Sequence, residues 1–367
     1  MDVPGKGPSV RPDGEMNLTL LLYGAVSDPA MLQQGFYEAE IDGLKRDRRV
    51  VKVIVTNRLW DVWNKRYDGL VCYFYSYTAI AALIARIKGR PAIATGGGEQ
   101  IFRSMAPNLL VYAVRLGLFF LSALFVRRIL ATSSSDCERM LQLLRFGKNK
   151  IELSFHGVNA AEFVSLDNYD AVRPPQSMIT ICGMDTKANV QRKGLFRAID
   201  FLAQMCEHYP DATLTVIGRT TCGELVRDYA LEKGVAGQLI FAGYVSEDDK
   251  FRLLLHHRFY IQLSEYEGFG IGALEALAFG CQVIHTNVGG LRDTIADYGI
   301  IASGAEPEAL DVRQLPIYST PDWSVFINHM SQFEVQKRAE TLLRALGYAR
   351  EEVRKTSEEK GALGWRT

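Results

Sequence analysis

One stretch constrains this chain more than any other: Ser264-Glu265-Tyr266-Glu267-Gly268-Phe269-Gly270-Ile271-Gly272-Ala273-Leu274-Glu275-Ala276-Leu277-Ala278-Phe279-Gly280. Apolar runs at 259–263 and 281–285 bound it, and both read as buried strands. Between them lie a glycine-rich turn and a short helix. Gly268, Gly270 and Gly272 strip side chains from the helix entrance. Bare N–H groups there favour an anion, and glycine lets a phosphate come close. Glu275 then falls among Ala273, Leu274, Ala276 and Leu277. A carboxylate in such a turn is costly to bury without hydrogen bonds. Ionised, it only accepts, which suits sugar or ribose hydroxyls. The alternative is an ordinary strand–helix turn with Glu275 facing solvent, since a Gly-x-Gly turn alone says little.

The surrounding order adds to this. Seven residues separate Glu267 from Glu275; then come Gly280, Val283-Ile284 and Gly289-Gly290-Leu291. This series resembles the Glu-x7-Glu signature of retaining family-4 glycosyltransferases, the glycosyl transferases of group 1. The resemblance implies an α/β protein of GT-B architecture, with two doubly wound Rossmann-like domains facing a cleft and a C-terminal helix crossing back to the first. It implies transfer of a sugar, with retention, from a nucleotide-diphosphate sugar to a glycan or lipid-linked acceptor, in cell-surface polysaccharide or glycolipid synthesis. No cofactor or metal is implied. Glu267 would contact the donor sugar, Glu275 the ribose, and Gly268, Phe269 and Gly270 the donor.

Other positions follow from the same resemblance. Lys193-Gly194 matches the family's Lys-Gly, and Arg192 and Lys193 would balance the leaving diphosphate. Met184 stands where the family has Arg. Gly183, Gly218, Tyr244 and Val245 fall on donor-side turns. The cleft loop of the first domain would be Gly97, Gly98, Glu99 and Arg103, without the His that the family often carries there. His156-Gly157-Val158-Asn159 resembles the family's Asn-Gly-Val-Asp. Two rivals remain: a GT-B nucleotide-sugar epimerase, and a non-catalytic nucleotide-sugar-binding subunit.

Read from the residues alone, the chain supports two domains. It has 367 residues, 48% of them hydrophobic, more than one core usually covers. Strand-like runs at 18–23, 50–56, 71–75, 91–95, 129–133 and 151–154 alternate with helical ones, as in a parallel sheet. The same alternation resumes at 178–182. The expected division is a disordered 1–15, a first domain 16–166, a polar linker 167–177, a second domain 178–325, returning helices 326–355 and a frayed 356–367. Basic and acidic residues number 42 each, which gives nucleic acid no electrostatic footing. Six scattered cysteines without a C-x-x-C suggest neither zinc nor disulfides and fit the cytoplasm.

Residues 109–126 are the most hydrophobic stretch, interrupted only by Arg115. Their all-round apolarity predicts a buried helix first. The second reading is an interfacial helix, with 109–128 resting on the inner leaflet and Arg127-Arg128 at anionic headgroups. Arg115 argues against a true span.

Overall fold

The computed structural model describes residues 8–10, 16–26, 32, 35–75, 78–302, 315 and 322–349. The first half comprises β1 (Ser9–Val10), β2 (Met16–Gly24), α1 (Phe36–Arg46), β3 (Val50–Thr56), α2 (Leu59–Asn64), β4 (Gly69–Tyr73), α3 (Ala79–Ile87), β5 (Ala92–Thr95), α4 (Leu109–Phe125), β6 (Arg128–Ala131), α5 (Ser134–Leu143) and β7 (Ile151–Leu153). The second comprises α6 (Leu166–Asp170), β8 (Ser177–Ile181), α7 (Lys187–Arg192), α8 (Leu195–His208), β9 (Thr213–Ile217), α9 (Gly223–Glu232), β10 (Leu239–Gly243), α10 (Glu247–His256), β11 (Phe259–Gln262), α11 (Ile271–Ala278), β12 (Gln282–His285), α12 (Leu291–Thr294) and β13 (Gly299–Ile301). Two helices close the described chain, α13 (Trp323–Met330) and α14 (Val335–Leu346).

Each half builds a parallel sheet, in the orders β3-β2-β4-β5-β6-β7 and β10-β9-β8-β11-β12-β13. Central strands such as β2 and β11 bury both faces, so they read as unbroken apolar runs rather than alternating ones. The segment 1–15, expected to be disordered, contributes β1. Its cause is the length of β2: pairing with β3 starts at Leu18 and with β4 at Leu20. Met16 and Asn17 would be left unpaired, and Val10 and Ser9 pair with them antiparallel.

The segment expected as a polar, irregular linker is instead docked. It opens with α6, and it caps the end of α11. The Tyr169 hydroxyl donates to Leu277 O at 2.5 Å, Asn168 Nδ2 to Ala278 O at 3.2 Å, and Arg173 Nη2 to Phe279 O at 2.8 Å. These carbonyls lie at the end of the helix, where amide partners run out; Leu277 O also accepts from Gly280 N at 3.0 Å, and the side chains of the linker serve the rest.

The buried-helix reading of 109–126 is also corrected. Asn108 Oδ1 caps α4 by accepting from Val111 N at 2.9 Å. Only Phe119, Ser122 and Ala123 are fully buried, while Leu109, Leu110, Val114, Phe120, Leu121 and Leu124 are exposed. All-round apolarity cannot say which side of a helix meets a core. No described helix is long and apolar enough to cross a membrane.

The tail is two helices, and they divide between the domains instead of both returning to the first. Phe326 of α13 packs against Tyr169 and Tyr298 of the second half. After a turn at 331–334, α14 lays Ala339, Leu342, Leu343 and Leu346 on Leu18, Leu20, Ile41 and Leu44 of the first. The expected fray at 356–367 lies outside the described residues.

Inside this contact sits a buried polar cluster. Arg338 Nε donates to Glu40 Oε1 at 2.8 Å, Nη1 to Ser154 Oγ at 2.7 Å and Nη2 to Thr95 Oγ1 at 2.7 Å. His156 Nδ1 and the Tyr73 hydroxyl each donate to Glu40 at 2.7 Å. Burial alone would raise the Glu40 carboxyl; Arg338, then His156 and Tyr73, outweigh it and hold it at about 2. Burial keeps the His156 pKa low, so the ring is neutral at pH 7 and its proton lies on Nδ1, facing the acceptor.

Removing one partner would strand a buried charge, at a cost of about 3–5 kcal/mol. Arg338→Met should therefore unfold in clearly less urea than the parent. A carboxyl depressed in the folded state contributes stability above its unfolded pKa and loses it as pH falls through its folded pKa. Glu40→Gln should thus be much less stable than the parent at pH 7. That gap should close as pH falls from about 4.5, the ordinary value, towards about 2. Urea titrations across this range check both; a gap that does not depend on pH would refute the ionised role of Glu40.

Candidate functional site

In the second sheet the strand order reverses between β8 and β11, the place where such sheets take ligands. The loops leaving those two strands meet there. Glu267, after β11, is buried, and its Oε2 accepts from Lys193 Nζ at 2.7 Å and Gln262 Nε2 at 2.9 Å. The Tyr260 hydroxyl donates to Gln262 Oε1 at 2.9 Å, which orients that amide to donate. Burial would raise the Glu267 carboxyl. Lys193, then Arg192 and the Phe269 N–H, outweigh it and hold it below the usual range.

Lys193 reaches Glu267 because of the glycine after it. Gly194 has φ +72°, and a Cβ there would lie 1.9 Å from Leu263 O. Only glycine lets the turn between α7 and α8 press against the end of β11. Arg192 leans on the same loop: Nη1 donates to Tyr266 O at 3.2 Å and Nη2 to Asn189 Oδ1 at 2.6 Å. A Cβ built at Gly268 meets nothing within 4 Å. Packing does not demand glycine there. Gly270, with φ +95°, begins α11. Phe269 turns away, its ring against Phe155, His156 and Phe333.

The other donor-side positions spread over neighbouring turns. Gly183 O accepts from Asn189 Nδ2 at 2.5 Å, and Gly218 N donates to Gly243 O at 2.9 Å. Tyr244 is exposed under the Arg219 guanidinium, 5.9 Å from the ring centre. Val245 packs partly into the second core. Met184, in place of the expected Arg, is fully buried and donates its N–H to Arg219 O at 2.8 Å. That position is core, with no cation in the place of the expected Arg side chain.

From the first domain, the loop after β5 faces this cluster. A Cβ at Gly98 would fall 2.0 Å from Asp136 Oδ2, so a side chain there would displace a buried carboxylate. Gly97, at φ +77°, precedes it. Burial raises the Glu99 carboxyl, and its charged neighbours include Arg192 and Glu267 of the opposite domain. Arg103 does not join them; its Nη1 donates to Ala106 O at 3.2 Å, within its own turn.

Glu275 stands apart. It is buried, but not unpartnered as the apolar helix suggests: Oε1 accepts from Lys250 Nζ at 2.7 Å, and Lys250 also donates to Glu247 at 2.9 Å. Burial still wins over Lys250, and the Glu275 pKa is raised. The crevice at Glu275 is walled by Ala39, Gly157 and Asn159 of the first half and by Glu247 and Ile271 of the second. Its volume is about 10 Å³, room for no more than one water.

Two contacts across the cleft have no trace in the sequence. The Tyr266 hydroxyl donates to Asp136 Oδ1 at 2.8 Å, and Ser134 N donates to Asp293 Oδ2 at 2.8 Å. Asp136 looks like an ordinary first-turn acid of α5, with Ser133 as its cap. Its partner lies 130 residues on. Burial pushes its pKa up to about 7, with Glu99 adding to the rise and Tyr266 opposing it.

Two facing parallel sheets, with the ligand loops of the second turned to the first, define a GT-B protein. The Anabaena protein HepE, solved with UDP and glucose, shares the fold: TM-score 0.68 at 14% identity, over 90% of this chain and 99% of that one. Residues 187–313 match the family described as glycosyl transferases group 1. An uncharacterized glycosyltransferase of Methanocaldococcus jannaschii is 26% identical over 63% of this chain and 60% of its own length. The GDP-mannose:cellobiosyl-diphosphopolyprenol alpha-mannosyltransferase of Xanthomonas oryzae is 24% identical over 57% of this chain and 52% of its own. This chain thus spans somewhat more than half of each of these relatives.

The bond between Asp136 and Tyr266 carries a pH signature. A carboxyl raised in the folded state is protonated more readily there than in the unfolded chain, so stability falls as pH rises from about 3.8 to about 7. Asp136→Asn removes the penalty. Its melting temperature should match the parent's at pH 4 and exceed it by a few degrees at pH 8. Equal melting at both would mean that Asp136 is ionised at little cost.

Proposed function

We propose that this protein transfers a sugar, with retention of configuration, from a nucleotide-diphosphate sugar to a hydroxyl of a glycan or lipid-linked acceptor. The observation that carries this reading is the cluster of Glu267, Lys193 and Arg192 beside the open side of Gly268. In the transfer the bond between the sugar's anomeric carbon and the diphosphate oxygen breaks, and a bond to the acceptor oxygen forms on the same face. Lys193 and Arg192, rather than a metal ion, balance the charge that develops on the diphosphate. Held as an anion, Glu267 accepts hydrogen bonds from the sugar ring. The departing diphosphate takes the acceptor's proton, and Glu99 looks onto the same space from the acceptor side. HepE, solved with UDP and glucose, supports a nucleotide-sugar donor. The Xanthomonas relative, named for a diphosphopolyprenol acceptor, supports a lipid-linked one. In this reading the enzyme works in the cytoplasm, at the inner face of the membrane, in polysaccharide or glycolipid synthesis.

Glu275 binds the donor ribose in this scheme. The crevice beside it is too small for a sugar, so the two domains part before the donor seats.

Incubation with a panel of UDP- and GDP-sugars, followed by NMR of the anomeric proton, tests the reaction. Retained configuration in a glycoside product is expected. An epimerised free nucleotide-sugar would establish the epimerase reading, and tight binding without turnover the non-catalytic one. Hydrogen bonds to charged groups are worth about 1.5–3 kcal/mol. Lys193→Ala should therefore weaken UDP or GDP binding by roughly ten- to a hundred-fold, and because it strips the buried Glu267 of its main partner it should also melt lower than the parent. Glu275→Gln should weaken the same binding to a similar degree. Because it also leaves Lys250 with Glu247 alone, it should melt lower than the parent; unchanged affinity would take Glu275 out of the donor site.

A further inference from the structure

The exposed face of α4 has no polar residue. Its exposed positions are Leu109, Leu110, Ala113, Val114, Gly117, Phe120, Leu121 and Leu124. Their three- and four-residue steps place them on one side of the helix. Beside it, α3 exposes Ile80, Leu83 and Ile87, again on one face. Leu110 is 75% and Ile87 62% exposed. Two adjacent helices with apolar outer faces form a patch that a monomer in water does not ordinarily show.

Charge around the patch has one sign. From residue 69 to 135 the chain has a single acidic residue, Glu99 in the cleft, against Arg86, Lys88, Arg90, Arg103, Arg115, Arg127 and Arg128. The whole chain is neutral, so this sector is cationic at the expense of the rest. Asp68 balances Arg90 at 3.6 Å, but Arg86, Arg127 and Arg128 make no ion pair among the described residues.

The two features meet at the C-terminal end of α4. An apolar groove of about 610 Å³ runs between Phe120, Leu124, Leu143 and Phe146, and Phe146 is 90% exposed. Next to it a polar groove of about 680 Å³ is walled by Arg86, Arg90, Arg127 and Lys150. Lys150 borders both grooves. An apolar slot opening beside a cationic one matches the two ends of a single amphiphile. An acidic protein would leave the apolar faces unanswered. A second copy of this chain, related by a two-fold axis, would set like charges against each other.

We propose that the α3–α4 face docks on a bilayer of anionic phospholipid, with headgroup phosphates at Arg86, Arg127 and Arg128 and an acyl chain beside Phe120 and Phe146. This deepens the membrane-side reading above and commits it to one surface. The orientation has a use. The start of α4 adjoins the cleft loop, where Arg115 Nη1 donates to Met105 O at 3.0 Å. At 1.5 Å per residue, a helix of this length is about 25 Å long. Laid on the bilayer, it holds the cleft mouth near the headgroups, where a lipid-linked acceptor presents its sugar.

Cosedimentation with vesicles, without any donor, tests the surface separately from the chemistry. Vesicles of phosphatidylcholine with about one-third phosphatidylglycerol should pull the protein down, and pure phosphatidylcholine should do so at least tenfold less well. High salt should weaken the binding. Leu121→Glu with Leu124→Glu, and separately Arg127→Glu with Arg128→Glu, should each cost more than tenfold, with unchanged thermal melts and unchanged UDP or GDP binding. A parent that ignores anionic vesicles would overturn the proposal, and so would binding indifferent to both double variants. A dimer by light scattering that Leu121→Glu with Leu124→Glu dissolves would assign the face to a second copy instead. Loss of transfer with vesicle binding intact would leave this surface standing and count only against the reaction.

Discussion

A guanidinium near the end of the described chain, Arg338, is buried in the first domain and holds three segments that are otherwise far apart. It bonds Glu40 on α1, Thr95 at the end of β5 and Ser154 after β7. A buried charged pair of this kind is poor evidence of net stability, since desolvation cancels much of the attraction. What it supplies is position. Thr95 leads directly into Gly96, Gly97 and Gly98, and Ser154 into His156 and Asn159. Each loop lines the first-domain side of the cleft. Val158 N donates to Phe333 O at 2.8 Å, so the crossing segment holds the second of these loops by its backbone as well. The cleft is therefore shaped by the returning helix as much as by the sheet beneath it.

The two glutamates of the motif, so alike in sequence, sit in opposite electrostatic settings. Glu267 has Lys193, Arg192 and a backbone N–H, and its carboxyl is held below the ordinary range. Glu275 has Lys250 inside an apolar helix turn, and burial leaves its carboxyl raised. The first is a fixed anion, suited to a role during a reaction in which charge moves nearby. The second gains most from a ligand that brings hydroxyl donors to it. Their seven-residue spacing puts both on one strand–turn–helix unit without making them one site.

Most of the sheet frame was legible because buried parallel strands are short apolar runs, and such runs survive as signals in a single sequence. The unit from β11 to β12 was legible down to its turn, since glycines and a misplaced carboxylate are local features. What stayed hidden depends on distant partners. Arg338 and Glu40 are 298 residues apart. Asp136 resembles a helix-capping acid until Tyr266 is placed on it. Lys250 looks like half of a surface pair with Glu247, and nothing local points to Glu275. The α4 stretch failed for a different reason: a helix apolar on every side gives no phase, so the sequence could not say which face was covered. The linker gives no local signal of its docking, because Asn168, Tyr169 and Arg173 find their partners only on the carbonyls at the end of α11, more than a hundred residues on.

The returning helix has a consequence for how the polypeptide is made. A ribosome releases the chain from its N-terminus, and domains generally fold in that order. Here the strands of the first domain emerge early, but Leu18 and Leu20 stay uncovered and Glu40 lacks its cation until α14 emerges. By then β8 through β13 are already out. The later-synthesised half can thus reach its final packing first, and the earlier half must wait, with an apolar flank open, for its last piece. Birth order and completion order are reversed, and the nascent first domain spends that interval as a natural client for chaperones.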